Sequence, residues 1–301
     1  MATPTVAAAT GGRSVRGSAA SRTSPPRPRS TVRRTALVVV LTLAALVWLV
    51  PSWLMVVNAF VPSSQYSNSP QWWPTSFGLF QNIGTAFANA AVGQGMLNSA
   101  LYAVVGAGVA VVIAAMASFA VVIMPVKRPT FWFWFIYIGT ILPLQAFISP
   151  LFTGYALTSL YDSQAGMLLV YVGLTIPFAF FVIRGQMSTL PTEMREAASL
   201  DGAGWVRMFL RVHLPLSRSA LMAAFVFQFT WIWNDLLFGL TLSTSSNIRP
   251  AMATLADLTG NYSTFGPPVV LAGALVASLP TVVVFFAFQR FFGRGFAPMA
   301  G

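Results

Sequence analysis

Six stretches of this chain are apolar over about 20 residues or more, long enough for each to cross the hydrocarbon core of a bilayer as a helix. They run 36–61, 96–124, 131–155, 166–188, 217–242 and 268–292. Composition agrees. Of 301 residues, 56% are hydrophobic and 8% charged, against about 25% charged in a soluble domain. So few charges cannot cover a water-soluble globule, and an ordinary soluble enzyme is excluded. The expected fold is an all-α membrane protein of six transmembrane helices. Pro143 and Pro150 interrupt the third run and Pro177 lies in the fourth. Membrane helices tolerate such breaks where neighbours satisfy the freed carbonyls.

Charge placement then orients the chain. Six spans put both termini on one side, together with the 125–130 turn and the 184–218 loop. That side holds 16 of the 17 Lys and Arg residues, leaving Arg249 alone opposite. The positive-inside rule makes it the cytoplasmic side. The net charge of +11 is thus a sided distribution, and nucleic acid is not an expected partner. Residues 1–35 carry seven Arg and no acid, with too little apolar surface to offset ordering entropy, and read as a disordered basic tail. The apolar run that follows exceeds the roughly 7–15 residues of a signal-peptide core and reads as a retained helix. There is no Cys, one His (His213) and one Lys (Lys127) outside any phosphate-loop pattern. Thiolate chemistry, a His-rich metal site and ATP hydrolysis by a P-loop are therefore excluded.

Two patterns concern packing. Gly106, Ala110, Ala114 and Ser118 recur every four residues, a small-residue face that lets another helix approach closely. Trp72, Trp73 and Trp132 suit the membrane interface, and the aromatic run Phe131 to Phe135 suits lipid.

The loop between the fourth and fifth runs is far longer than the few residues that usually join helices. Pro191 suits a first helical position and Glu193 complements the helix dipole. Gly202 can take the positive φ that ends a helix. Trp205, Met208, Phe209 and Val212 then form an apolar stripe at helical spacing. The segment is expected to be two short helices meeting at a glycine. Half of the six acids fall on it, as Glu193, Glu196 and Asp201. It reads either as an interfacial anchor or as a docking knob for a cytoplasmic protein.

The string Glu196-Ala197-Ala198-x-x-Asp201-Gly202-Ala203, followed by Leu214-Pro215-Leu216, resembles the EAA loop of ABC-importer permeases. Ile176-Pro177-Phe178 and Leu190-Pro191 before it, Trp233-Asn234-Asp235 in the fifth run and Leu279-Pro280 through Gly295 at the end resemble the carbohydrate (maltose-type) subgroup. The resemblance implies a MetI-like permease domain over 36–292 with a coupling loop at 189–216 and a cytoplasmic tail at 293–301, in a bacterial-type inner membrane. It implies a subunit without catalysis of its own that binds no cofactor directly. ATP and Mg would be used by two partner ATPase subunits. A second homologous permease and an extracytoplasmic solute-binding protein would complete the complex, in contact with membrane lipid. The coupling residues carried over are Glu193, Glu196, Ala197, Ala198, Asp201, Gly202 and Ala203. The solute expected is a sugar or oligosaccharide. The alternatives are another solute, such as a glycerol phosphate or polyamine, and a membrane scaffold that docks a soluble protein.

Polar residues inside apolar runs are candidates for the solute path: Gln145, Gln228, Asn234 and Asp235. Each has a plainer reading as glue between helices, or for Asp235 as a helix cap. His213 is expected at the interface.

Overall fold

A computed structural model describes residues 31–67, 69–89, 91–259 and 265–295. Every regular element among them is helical. The basic tail before residue 31 and the end after residue 295 lie outside the described residues. The chain divides into two units at Val50 and Pro51. Helix α1, Thr31–Phe60, starts in the first unit, four residues before the expected tail ends, and its residues from Pro51 on belong to the second. Its apolar side chains from Leu37 to Val50, such as Leu41 and Trp48, are exposed, whereas Val57 and Ala59 near its end are buried.

The second unit holds the rest. Helix α2 is Leu79–Asn89 and α3 is Val92–Ile123, opening four residues earlier than the second run. The third run is a bent pair, α4 (Pro129–Thr140) and α5 (Leu144–Ala156), turned by 91°. Pro143 stands at the corner, extended and without an N–H to continue α4. Helix α6 is Gln164–Met187. The connecting loop contributes α7, Thr192–Leu200, and the segment α8, 205–216, whose middle turn is π-helical. Helices α9 (Arg218–Trp233) and α10 (Leu237–Leu242) divide the fifth run. Helix α11 is Ala251–Asp257 and α12 is Pro267–Gly295.

The expected count of six spans is not reproduced by length. Among the described residues four helices are long and apolar enough to cross a membrane, and a fifth if α4 and α5 count as one. The fifth run fails because the chain leaves the helix at Asn234 to Leu236, so that α9 has 16 residues.

The small-residue face of α3 works as expected, and the structure supplies its partner. Gly106, Ala110, Ala114 and Ser118 are all buried, and α3 packs along α6. Ser118 Oγ donates to the Phe180 carbonyl at 3.3 Å. A Cβ on Gly106 would sit 3.2 Å from Ile232 Cδ1 of α9, so the glycine admits α9 at close range. One apolar cluster gathers Tyr102, Tyr171, Phe229, Trp233 and Phe238. A second gathers Ala114, Phe119, Phe180, Met187, Met208 and Leu221, where loop segment α8 meets the helices. Phe131, Trp132, Trp134 and Phe135 are exposed as expected for lipid, while Phe133 turns inward, under the Arg184 guanidinium at 4.3 Å and against Phe180.

Candidate functional site

Two places bring the predicted residues together. The first is the 189–216 loop. Pro191 precedes α7 as its cap rather than opening it. Glu193 sits in the first turn, where a carboxylate opposes the positive end of the helix dipole. The helix ends at Gly202, whose φ of +70° is left-handed and disfavoured for a residue with a Cβ. The two-helix form read from the sequence is thus present.

Exposure sorts its residues. Glu193, Glu196, Ala197, Asp201 and Gly202 are exposed, while Arg195, Ala198 and Ala203 are half-buried. Ala198 packs on the cluster that holds Met208. Among the described residues the three carboxylates form no ion pair within the chain; the pair present is Arg249 with Asp257, at 3.2 Å. Leu200 and Val206 flank the turn at 89% and 72% exposure. The expected apolar stripe is reset by the π-turn Phe209–His213. Met208 and His213 are the buried positions, whereas Trp205 is exposed. His213 is therefore not interfacial: the extra residue in the turn swings it inward, edge-on to Phe119 with centroids 5.2 Å apart.

The second place is the break in the fifth run. Asp235 is buried. Its carboxylate accepts from Tyr171 Oη at 2.9 Å and from the backbone N–H groups of Phe238 and Gly239 at 3.1 Å each. It thereby caps α10 and ties it to α6, satisfying donors that a helix start leaves unpaired. Asn234 is exposed, and its Nδ2 donates to the Thr230 carbonyl at 2.7 Å. Gln228 Nε2 donates to the Thr175 carbonyl at 2.9 Å, two residues before Pro177.

Two cavities flank this break and share Leu144, Phe227 and Trp231. The larger, about 770 Å³, is lined also by Thr230, Asn234, Asp235 and Phe285. The smaller, about 360 Å³, takes in Thr140, Phe178 and Gln228. Both fall near the roughly 300–1,000 Å³ of small-molecule sites. Gln145 lies exposed in the first turn of α5 and lines neither. The residue sequence reasoning missed is Trp231. It stands three and four positions before Asn234 and Asp235, on the same helical face, and that spacing could have found it.

Beyond the break, the chain 243–251 is held from two sides. Asp162, at φ +50°, accepts from Thr244 N at 2.8 Å, Ser245 N at 3.0 Å and Ser245 Oγ. From α3, Asn98 Nδ2 donates to the Arg249 carbonyl at 2.9 Å and Tyr102 Oη to that of Ile248 at 2.8 Å. Ser99 Oγ accepts from Ala251 N at 2.8 Å. Partial burial alone would raise the Asp162 pKa, but the hydrogen bonds from Ser245 and Thr244 outweigh it and hold the pKa at about 2.

Residues 110–297 match the family described as binding-protein-dependent transport system inner membrane component. The chain belongs to this family. Among its relatives, the osmoprotective compounds uptake permease protein of Synechocystis is 29% identical over 86% of this chain and 88% of its own. The lactose transport system permease protein of Rhizobium radiobacter is 30% identical over 85% and 92%. The sn-glycerol-3-phosphate transport system permease protein of Yersinia pestis is 30% identical over 85% and 93%. A solved bacterial ABC transporter involved in alginate import superposes with a TM-score of 0.74, covering 89% of this chain and 100% of that one at 18% identity. At that identity the likeness establishes the fold. This family member is accordingly an inner-membrane transport component with the MetI-like permease fold.

Proposed function

We propose that the chain is the translocation-pore subunit of a sugar or oligosaccharide importer driven by separate ATPase subunits, and that loop 189–216 is where an ATPase docks. The observation that carries this is the outward presentation of α7. Three carboxylates without an ion pair among the described residues and two exposed apolar residues surround a glycine-locked turn. Such a surface, with buried anchors beneath it, fits a protein partner. The partners proposed are a second permease, two ATPase subunits and a solute-binding protein outside. Relatives that carry lactose or alginate support the sugar class. Both termini are placed in the cytoplasm, on the basic side.

The cavities at the break are proposed as this subunit's share of the path. Non-helical backbone at membrane depth is tolerated where protein buries it or a wet cavity adjoins it, and Asn234 to Leu236 meets that condition. A glycerol phosphate, the solute of one relative, is less well served. Arg249, the lone cation expected on the outer side, is already paired with Asp257.

The test is reconstitution of the complex with Glu196→Ala. Sugar uptake is expected to fall by about tenfold or more, the scale of losing a charged contact at a docking interface, while the protein still inserts and assembles. Uptake at the parental rate would refute the docking role. ATP hydrolysis in the parental complex that no solute stimulates would favour a scaffold instead.

A further inference from the structure

His213 is the only histidine in the chain and is 1% exposed. It lies where the loop bearing α7 meets α3 and α9. Among the described residues neither ring nitrogen has a hydrogen-bond partner, and the buried Ser217 hydroxyl one turn later has none either. A buried imidazole in this condition is tolerable only while neutral, because a charge there must be solvated or paired.

The described residues around it offer no pairing. From α3 it meets Phe119, and the stretch Ala107–Ile123 of that helix carries no ionisable side chain. From α7 the nearby charge is Arg195, of the same sign as an imidazolium. Its own segment carries Arg207 and Arg211, and α9 opens with Arg218, all three exposed. Burial first, and Arg195 second, lower its pKa.

We infer that His213 is a proton-sensitive seat for the docking loop: neutral, it holds α7 and α8 against the helices, and protonated, it lifts them off. The proton comes from solvent and stays on the imidazole. Its charge is relieved by moving into water, which draws the neighbouring Met208 out of its cluster. The sign follows from the depressed pKa. The unfolded or unseated loop binds the proton more readily, so the seat is fully stable above about pH 6.5 and weakens as pH falls below it. Unseating itself does not depend on the proposed function; its effect on ATP hydrolysis does.

The experiment is hydrogen exchange on the assembled importer in nanodiscs, at about pH 7.5 and 5.5, corrected for intrinsic rates. Amides of 192–216 are expected to lose protection by about tenfold at the lower pH in the parent. In His213→Leu they should change little, and His213→Gln serves if the leucine variant does not assemble. Equal protection at both values in the parent, or the same pH response in the variants, overturns the proposal. Unseating without any change in ATP hydrolysis, each protein compared with itself across pH, supports the seat and refutes the docking role of the loop.

Discussion

Two of this protein's connections, the one from α10 to α11 and the one from α6 to α9, are built on opposite terms. The 243–251 segment satisfies itself: Asp162, Asn98, Ser99 and Tyr102 together bind its backbone. The 189–216 loop leaves Glu193, Glu196 and Asp201 without ion pairs among the described residues, and Leu200 and Val206 in the open. A strapped segment can act as one body with the helices beneath it. A loop that presents unpaired groups is built to be completed by something else. Mutations should therefore separate the two: changes in the first should register as stability, and changes in the second as transport.

The largest effect is expected at Gly202. Proline cannot adopt its φ of +70°, so Gly202→Pro should abolish uptake while the protein still inserts. Space is not the limit, since a Cβ there meets nothing within 4 Å. Gly202→Asn, which tolerates the left-handed region, should consequently retain more uptake than Gly202→Ala. Equal loss in both would mean that the turn's conformation is not what matters.

Next in size is Asp235→Ala. It removes a helix cap and strands the Tyr171 hydroxyl in the interior, about 2–4 kcal/mol together. Thermal unfolding in detergent should shift down clearly, whereas Glu196→Ala should leave the midpoint nearly unmoved. Matching shifts in both variants would mean that the break at Asp235 is no more firmly anchored than the loop.

Asp162 sharpens the contrast between the two connections. Asn keeps an acceptor for the Thr244 and Ser245 amides and tolerates positive φ, so Asp162→Asn should disturb the strap less than Asp162→Ala. Hydrogen exchange at 244–249 reads the difference. Because the folded pKa is depressed, the contribution of the carboxylate is present above the ordinary value and lost as pH falls towards about 2. Amide protection at the strap should accordingly be flat from about pH 5 to 8, the range in which the loop around His213 should respond.

The smallest effect is expected from Arg249→Gln. Its partner Asp257 is half-exposed, and such pairs contribute about 0–1 kcal/mol. Stability should scarcely change. A large loss of uptake of a neutral sugar would instead give Arg249 a role in the path.

Much of this was legible in the sequence because apolar length and turn chemistry are local. Four of the six runs became unbroken helices, Gly202 became the left-handed stop, and Gly106 to Ser118 became a packed face. Where sequence reading went astray, a single inserted or missing helical step was responsible. The π-turn at Phe209–His213 moved the buried face of α8 and carried His213 inside. The break after Trp233 divided a continuous apolar run. Neither leaves a trace in hydropathy, which averages over several residues.

The sequence by itself determined that the chain is a helical membrane protein, where its long helices run, and which loop carries the acids. Only the tertiary structure decided what those helices meet. Tyr171 and Asp235 are 64 positions apart, and Asp162 and Ser245 are 83 apart. Periodicity states which side of a helix is apolar or small, since that is a property of neighbours in the chain. It cannot state which distant side chain completes a buried carboxylate, or whether a histidine finds a partner, because those depend on how the helices close around one another.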